Sequence, residues 1–275
     1  MSTLQGKTIL MSGGSRGIGL AIALRAAQDG ANIAILAKTD TPHPKLEGTV
    51  HTAAAAIEEA GGKALPIVGD VRNADDVTEA VIKTQGEFGG IDAIVNNASV
   101  IDLSGSVDVA LKKYDLMQDV NERGTFLLSR AAVPMLLEAE NPHILSLSPP
   151  INLSPKWLGS HTAYTLAKYG MTLATLGIGA EFPTIAANTL WPETTIATAA
   201  VKFALGGDRM MAVSRTPEVY ADAAYAVLTT PASELSGQTL IVEDVLRDRG
   251  VTDFARYAAI PGTPDEALHP DLFID

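Results

Sequence analysis

Short apolar runs alternate with helix-forming stretches along most of this chain, and no other feature limits its possible folds so strongly. Thr8–Met11, Asn32–Ala37, Ala64–Val68, Ile91–Asn96, His143–Ser148, Ile185–Trp191 and Thr239–Val242 read as strands. Between them, Ile18–Gln28, Thr49–Ala60, Ala74–Phe88, Leu116–Leu137, Ala163–Glu181 and a segment from Thr216 to Leu228 read as helices. Strands joined by helical crossovers pair in parallel, and the crossovers cover both faces of the sheet. Ile33–Leu36 and Ile91–Val95 are apolar without alternation, the pattern of strands buried on both sides. The expectation is an α/β fold, a single doubly wound domain with a seven-stranded, mostly parallel sheet. Residues 1–246 would form that domain. The remaining 247–275, with Pro261, Pro264 and Pro270, would be an extension packed on its surface.

The first strand runs into Ser12-Gly13-Gly14-Ser15-Arg16-Gly17-Ile18-Gly19, which opens the first helix. Glycines at a strand-to-helix bend let the backbone approach a pyrophosphate, whose charge a helix N-terminus favours. Any tight strand–helix turn can use glycine, but its place after the first strand and before a helix leads to the expectation of a Rossmann-type, dinucleotide-binding domain. A site for NAD normally carries Asp or Glu at the end of the second strand, to bind the ribose hydroxyls. Here that strand ends Leu36-Ala37-Lys38-Thr39, and the first carboxylate is Asp40. Arg16 and Lys38 instead offer charge-assisted partners to a 2′-phosphate, so NADP(H) is the expected cofactor. The alternative for both is a solvated surface cation.

Composition narrows the function further. Twenty Lys and Arg stand against 32 Asp and Glu, for a net charge of −12. Such a surface repels phosphate backbones and anionic lipid, so no nucleic acid or membrane partner is expected. With no cysteine, disulfides, thiolate nucleophiles and zinc–sulfur sites are excluded, and the five histidines are scattered. No metal site is read from this pattern. No signal segment or membrane-length apolar run is seen, so the expectation is a soluble, cytoplasmic protein.

Tyr164 and Lys168 lie four apart at the start of a helix, hence on one face. A tyrosine serves as acid or base near neutrality only if its pKa falls from about 10, and a drop of ~3 units needs about 4 kcal/mol. A neighbouring ammonium, together with the positive nicotinamide of the oxidised cofactor, is the type of field expected to supply it. Together, Ser12–Gly19, Asp70, Asn96-Asn97-Ala98, Val120-Asn121 and Tyr164…Lys168 resemble the short-chain dehydrogenases/reductases, over about residues 6–246. Ala37–Thr39, Pro42–Leu46, Ser148–Leu153, Ala163–Met171 and Leu190–Pro192 are similar to its hydroxysteroid-dehydrogenase-like branch. Some members of that branch carry a sterol-carrier-type lipid-binding domain, which is expected to be absent here.

The resemblance implies hydride transfer between the nicotinamide and a carbonyl or secondary alcohol. It implies Tyr164 as acid–base, Lys168 as its activator and Asn121 in a proton relay to Lys168. Cofactor contacts would come from Gly13, Ser15, Arg16, Gly17, Ile18 and Gly19 at the bend, and from Lys38. Further contacts would be Asp70 with Val71, Asn97 with Ala98, Tyr164 with Lys168, and Pro192 with Thr194. A homodimer or homotetramer is implied too, with the helices bearing Asn121 and Tyr164 at an interface.

Three departures from the family pattern stand out. A serine about 13 residues before the tyrosine normally orients the substrate oxygen, but Ile151 stands there. Ser148 is the candidate for that role, followed by Ser154. The usual Asn-Asn-Ala-Gly ends in Ser99, expected to be a local adjustment, and Glu193 replaces glycine after Pro192. A second function therefore stays open: an NADP(H)-binding regulator with little or no catalysis.

Overall fold

A computed structural model of the chain describes residues 3–44 and 46–275. Lys45, which belongs to the Pro42–Leu46 motif, lies outside the described residues. Seven strands form one sheet: β1 (Thr8–Ser12), β2 (Asn32–Ala37), β3 (Lys63–Val68), β4 (Ala93–Asn96), β5 (His143–Ser146), β6 (Ala186–Trp191) and β7 (Thr239–Ile241). Their spatial order is β3-β2-β1-β4-β5-β6-β7, and every neighbouring pair is parallel. The sheet thus reverses its winding between β1 and β4. In open α/β sheets such a reversal leaves a crevice beyond the carboxyl ends of the strands, where ligands bind.

The strand pleat sends alternate side chains to opposite faces. On one face Ile9, Met11, Ile33 and Ile35 pack against α1 (Gly17–Ala27), α2 (Val50–Glu59) and, farther along the chain, the helix Pro217–Leu228. On the other, Leu10, Ala34, Leu36 and Ile94 pack against α3 (Ala74–Phe88), the helix Gly124–Leu136 and the helix Thr162–Glu181. Unbroken apolar strands are what such a two-sided core requires. In chain order the intervening and later helices are α4 (Leu111–Met117), α5 (Gly124–Leu136), α6 (Pro155–Ser160), α7 (Thr162–Glu181), α8 (Gly207–Ala212), α9 (Pro217–Leu228) and α10 (Val242–Asp248). Among the described residues no helix is long and apolar enough to cross a membrane.

Three local readings change. The long helix expected from Leu116 starts at Leu111, and a π-helical turn, Gln118–Arg123, separates α4 from α5. Such turns often mark functional positions, and this one carries Asn121. The fifth strand stops at Ser146, because the Ser148 N–H turns back to the Ser146 carbonyl at 3.0 Å. The third concerns residues 247–275. They do not simply lie on the surface, and the boundary at 246/247 falls inside α10. Phe254, Tyr257, Leu268 and Phe273 are buried.

The end of that segment is laced to the loop after β6. Thr195 N–H donates to the His269 carbonyl at 2.9 Å, and Asp271 N–H to the Glu193 carbonyl at 3.0 Å. The Trp191 indole donates to the Leu272 carbonyl at 2.7 Å, and the Trp157 indole to Asp275 at 3.0 Å. Phe273, 1% exposed, fills the centre of an aromatic cluster with Trp157, His161, Tyr164, Tyr169 and Trp191. Scattered prolines suggested an extension packed on the surface. Apolar burial around one phenylalanine outweighs them.

Candidate active site

The crevice between the two halves of the sheet is a cleft of about 1340 Å³, running from the bend after β1 to the start of α7. Pockets for a single drug-sized ligand reach about 1,000 Å³, so this one has room for a dinucleotide and a second molecule. At the bend, Gly13 has φ +74° and an added Cβ would lie 2.8 Å from Asn97 Nδ2. At Gly19 it would lie 2.6 Å from the same atom. Asn97 is pressed so closely because its amide donates to the carbonyls of Ser12 and Gly13, at 3.1 and 2.8 Å. In return the Ser12 hydroxyl accepts from the N–H groups of Asn97 and Ala98, at 3.2 and 3.1 Å. The ends of β1 and β4 are thereby stitched together beneath the cleft. No side chain caps the N-terminus of α1, and Gly17 and Ile18 in its first turn line the cleft.

At the outer end Arg16 is fixed by hydrogen bonds to the carbonyls of Glu47 and Gly48, at 2.8 and 2.6 Å. Lys38 Nζ lies 3.2 Å from Asp70, which Arg72 also grips through two donors. Partial burial works against ionising Asp70, but the bonds from Arg72 and Lys38 win and hold its pKa at about 2. Asp40, the first carboxylate after β2, is 2.7 Å from His51 and does not line the cleft.

At the inner end α7 presents Tyr164 and Lys168, only 4% and 3% exposed. Both line the cleft. Lys168 Nζ donates to the Leu147 carbonyl at 2.6 Å and sits 5.0 Å over the Trp191 ring. Burial pulls its pKa below the ordinary lysine value, while the charge of Asp271 works against that. Asp271 itself is driven upward by burial, opposed by the Leu272 N–H and by Lys168. Burial also pushes the Tyr164 phenol well above its ordinary value, and Asp271 adds to the rise. A hydrogen bond with the Ser99 side chain acts in the opposite sense. The expected lowering by the ammonium is therefore not what the protein alone imposes. Desolvation dominates, and the charge of Asp271 adds to it.

Of the residues singled out from sequence, Gly13, Ser15, Arg16, Gly17, Ile18, Lys38, Asp70, Val71, Asn97, Ala98, Tyr164, Lys168 and Pro192 line this cleft. Four do not. Gly19 lies behind the bend, where it admits Asn97. Thr194 turns toward Glu243, 3.5 Å away, and bridges Pro270. Asn121 commits both ends of its amide to the backbone of Val100, at 2.7 and 3.0 Å. Ser148 is fully buried and accepts from the Thr172 hydroxyl at 2.8 Å, on the side facing α7. The substitute, Ser154, opens α6 away from the cleft.

Sequence reasoning missed Ser99, taken as an adjustment, and Asp271 with Leu272, taken as surface tail; all three line the cleft. The run Leu272-Phe273-Ile274 was the available signal, since three apolar residues rarely close a solvated strap.

A parallel sheet reversing at β1/β4, a glycine bend at the reversal and a buried tyrosine–lysine pair beyond it define a dinucleotide-binding oxidoreductase class. Residues 7–205 match the short chain dehydrogenase family, and the chain belongs to that family of oxidoreductases. Over 99% of its length it is 54% identical to hydroxysteroid dehydrogenase-like protein 2 of Danio rerio and 50% identical to the Homo sapiens protein of that name. It spans 65% and 64% of the length of those two relatives. It is 58% identical to a short chain dehydrogenase from Mycobacterium thermoresistibile, whose crystal structure matches with a TM-score of 0.93 over 99% of this chain and 96% of that one.

Proposed function

We propose that the chain is an NADP(H)-dependent oxidoreductase that interconverts a bulky, apolar carbonyl compound and the corresponding secondary alcohol. The observation that carries this reading is the buried Tyr164–Lys168 pair at the inner end of a cleft that begins at a glycine bend. The cradle formed at Gly13, which any Cβ would fill, and the uncapped start of α1 fit a pyrophosphate. When bound there, the nicotinamide supplies or accepts the hydride. Tyr164 binds the substrate oxygen and passes it a proton as the carbonyl is reduced, or takes that proton back in oxidation. A phenol held above its ordinary pKa stays protonated at neutral pH, which suits the reducing direction. Lys168, fixed on the Leu147 carbonyl, keeps its ammonium within reach of the site. Val100, Ile101, Trp191, Phe203 and Met211 give the cleft apolar walls, which supports the apolar substrate.

The preference for NADP(H) rests on Arg16 and Lys38, which line the outer end of the cleft, and on Asp40 being turned to His51. In fluorescence titrations NADPH is expected to bind at least tenfold more tightly than NADH, a difference of about 1.4 kcal/mol. Lys38→Glu should remove most of that margin. Equal or tighter binding of NADH by the unaltered protein would overturn the assignment.

The exposed side chains of Phe126 on α5 and of Leu166 and Leu173 on α7 support self-association through these helices as a homodimer or homotetramer. Light scattering should report two or four copies; a monomer at micromolar concentration would exclude it.

A further inference from the structure

As hydride reaches a carbonyl carbon, negative charge gathers on the oxygen, and hydrogen-bond donors placed in advance at that oxygen lower the barrier. Tyr164 is one donor. The structure takes Ser148 out of contention as a second, because its hydroxyl is buried against Thr172. Pro149 beside it has no hydroxyl.

A different serine occupies the required place. Ser99 follows β4, is exposed, and lines the same cleft as the buried Tyr164 phenol, on whose ionisation its side chain acts. Its backbone is held on both sides. Before it, the Ala98 N–H is bound by the Ser12 hydroxyl at 3.1 Å. After it, Val100 is clasped at N–H and carbonyl by Asn121, at 2.7 and 3.0 Å. The residues on either side of the serine are thus anchored, one to β1 and the other to the π-helical turn. A donor so constrained meets developing charge without reorganising the protein.

We propose that Ser99 is a catalytic residue: its hydroxyl is the second donor to the substrate oxygen, working beside Tyr164 from the loop after β4. Asn121 is then a positioning residue for Ser99, acting through Val100. The proposal rests on the oxidoreductase reading above. It also narrows the substrate, since the reacting oxygen must enter between the β4 loop and the first turn of α7.

The test uses the full chain with NADPH and whichever carbonyl compound from an apolar ketone and aldehyde panel gives the highest turnover. Removal of one such donor costs about 10²–10³ in rate. Ser99→Ala and Ser99→Gly should each lower kcat by about 10²-fold, with KM changed by less than about threefold and NADPH affinity and melting temperature unchanged. With NADPH deuterated at C4, the isotope effect on kcat should rise in both variants, because hydride transfer becomes the slow step. Ser99→Thr, which keeps a hydroxyl, should recover most of the rate. Wild-type kcat in Ser99→Ala, in a protein that Tyr164→Phe inactivates, would overturn the proposal and leave the oxidoreductase reading standing. No turnover by the unaltered protein with any compound of the panel would overturn both.

Discussion

Tyr164→Phe is expected to lower kcat for carbonyl reduction by about 10²–10⁴-fold, the usual worth of a positioned general acid, with NADPH affinity changed less than threefold. The substitution deletes one oxygen and preserves the ring, which packs at 6.2 Å centroid distance against Phe273. Loss of packing therefore cannot stand in for loss of the proton. The pH profile is a second arm of the same expectation. Burial, reinforced by Asp271, holds the phenol above its ordinary value, so the acid form persists from acid through neutral pH. The tyrosine limb of reduction should fall away only in the alkaline range, whereas oxidation, which needs the phenolate, should rise toward that range. Steady-state rates from pH 6 to 10 in both directions would show this. A variant retaining more than about a tenth of the wild-type rate would remove Tyr164 from the mechanism.

Phe273→Ala is expected to destabilise the fold by about 3–5 kcal/mol, the range for emptying a buried aromatic site. For a chain of this size that lowers Tm by about 10 °C. The expectation rests on its almost complete burial and its five aromatic neighbours. Because Asp271 and Leu272 line the cleft two and one residues away, the same change should weaken turnover as well. Phe273→Leu, which refills much of the volume, should recover at least half of the lost stability. Differential scanning calorimetry decides the matter, and a Tm shift below about 2 °C would mean that this ring packs against nothing that matters.

The alternation of strand and helix was legible because apolar runs such as Ile33–Leu36 have no polar face to mislead, and each is followed by a helical stretch. Gly13, Gly17 and Asn97 were legible because a tight bend tolerates few alternatives, and the clash distances at Gly13 and Gly19 show why. The burial of Ser148 was not legible for a local reason. A two-residue turn at the end of β5 rotates its hydroxyl toward Thr172, and no periodicity in the sequence encodes that rotation. The environment of the Tyr164 phenol was not legible for a non-local reason. Its field depends on Asp271, more than a hundred positions later, and one sequence gives no sign that the two residues meet. The same distance hid the docking of the final residues behind Pro261, Pro264 and Pro270.

The indole of Trp191 reaches forward 81 positions to the carbonyl of Leu272, so one wall of the cleft is made from a segment synthesised well after β6. All seven strands are already present by Ile241. A nascent polypeptide therefore holds all the strands of the sheet before the segment that closes this wall of the cleft has been made.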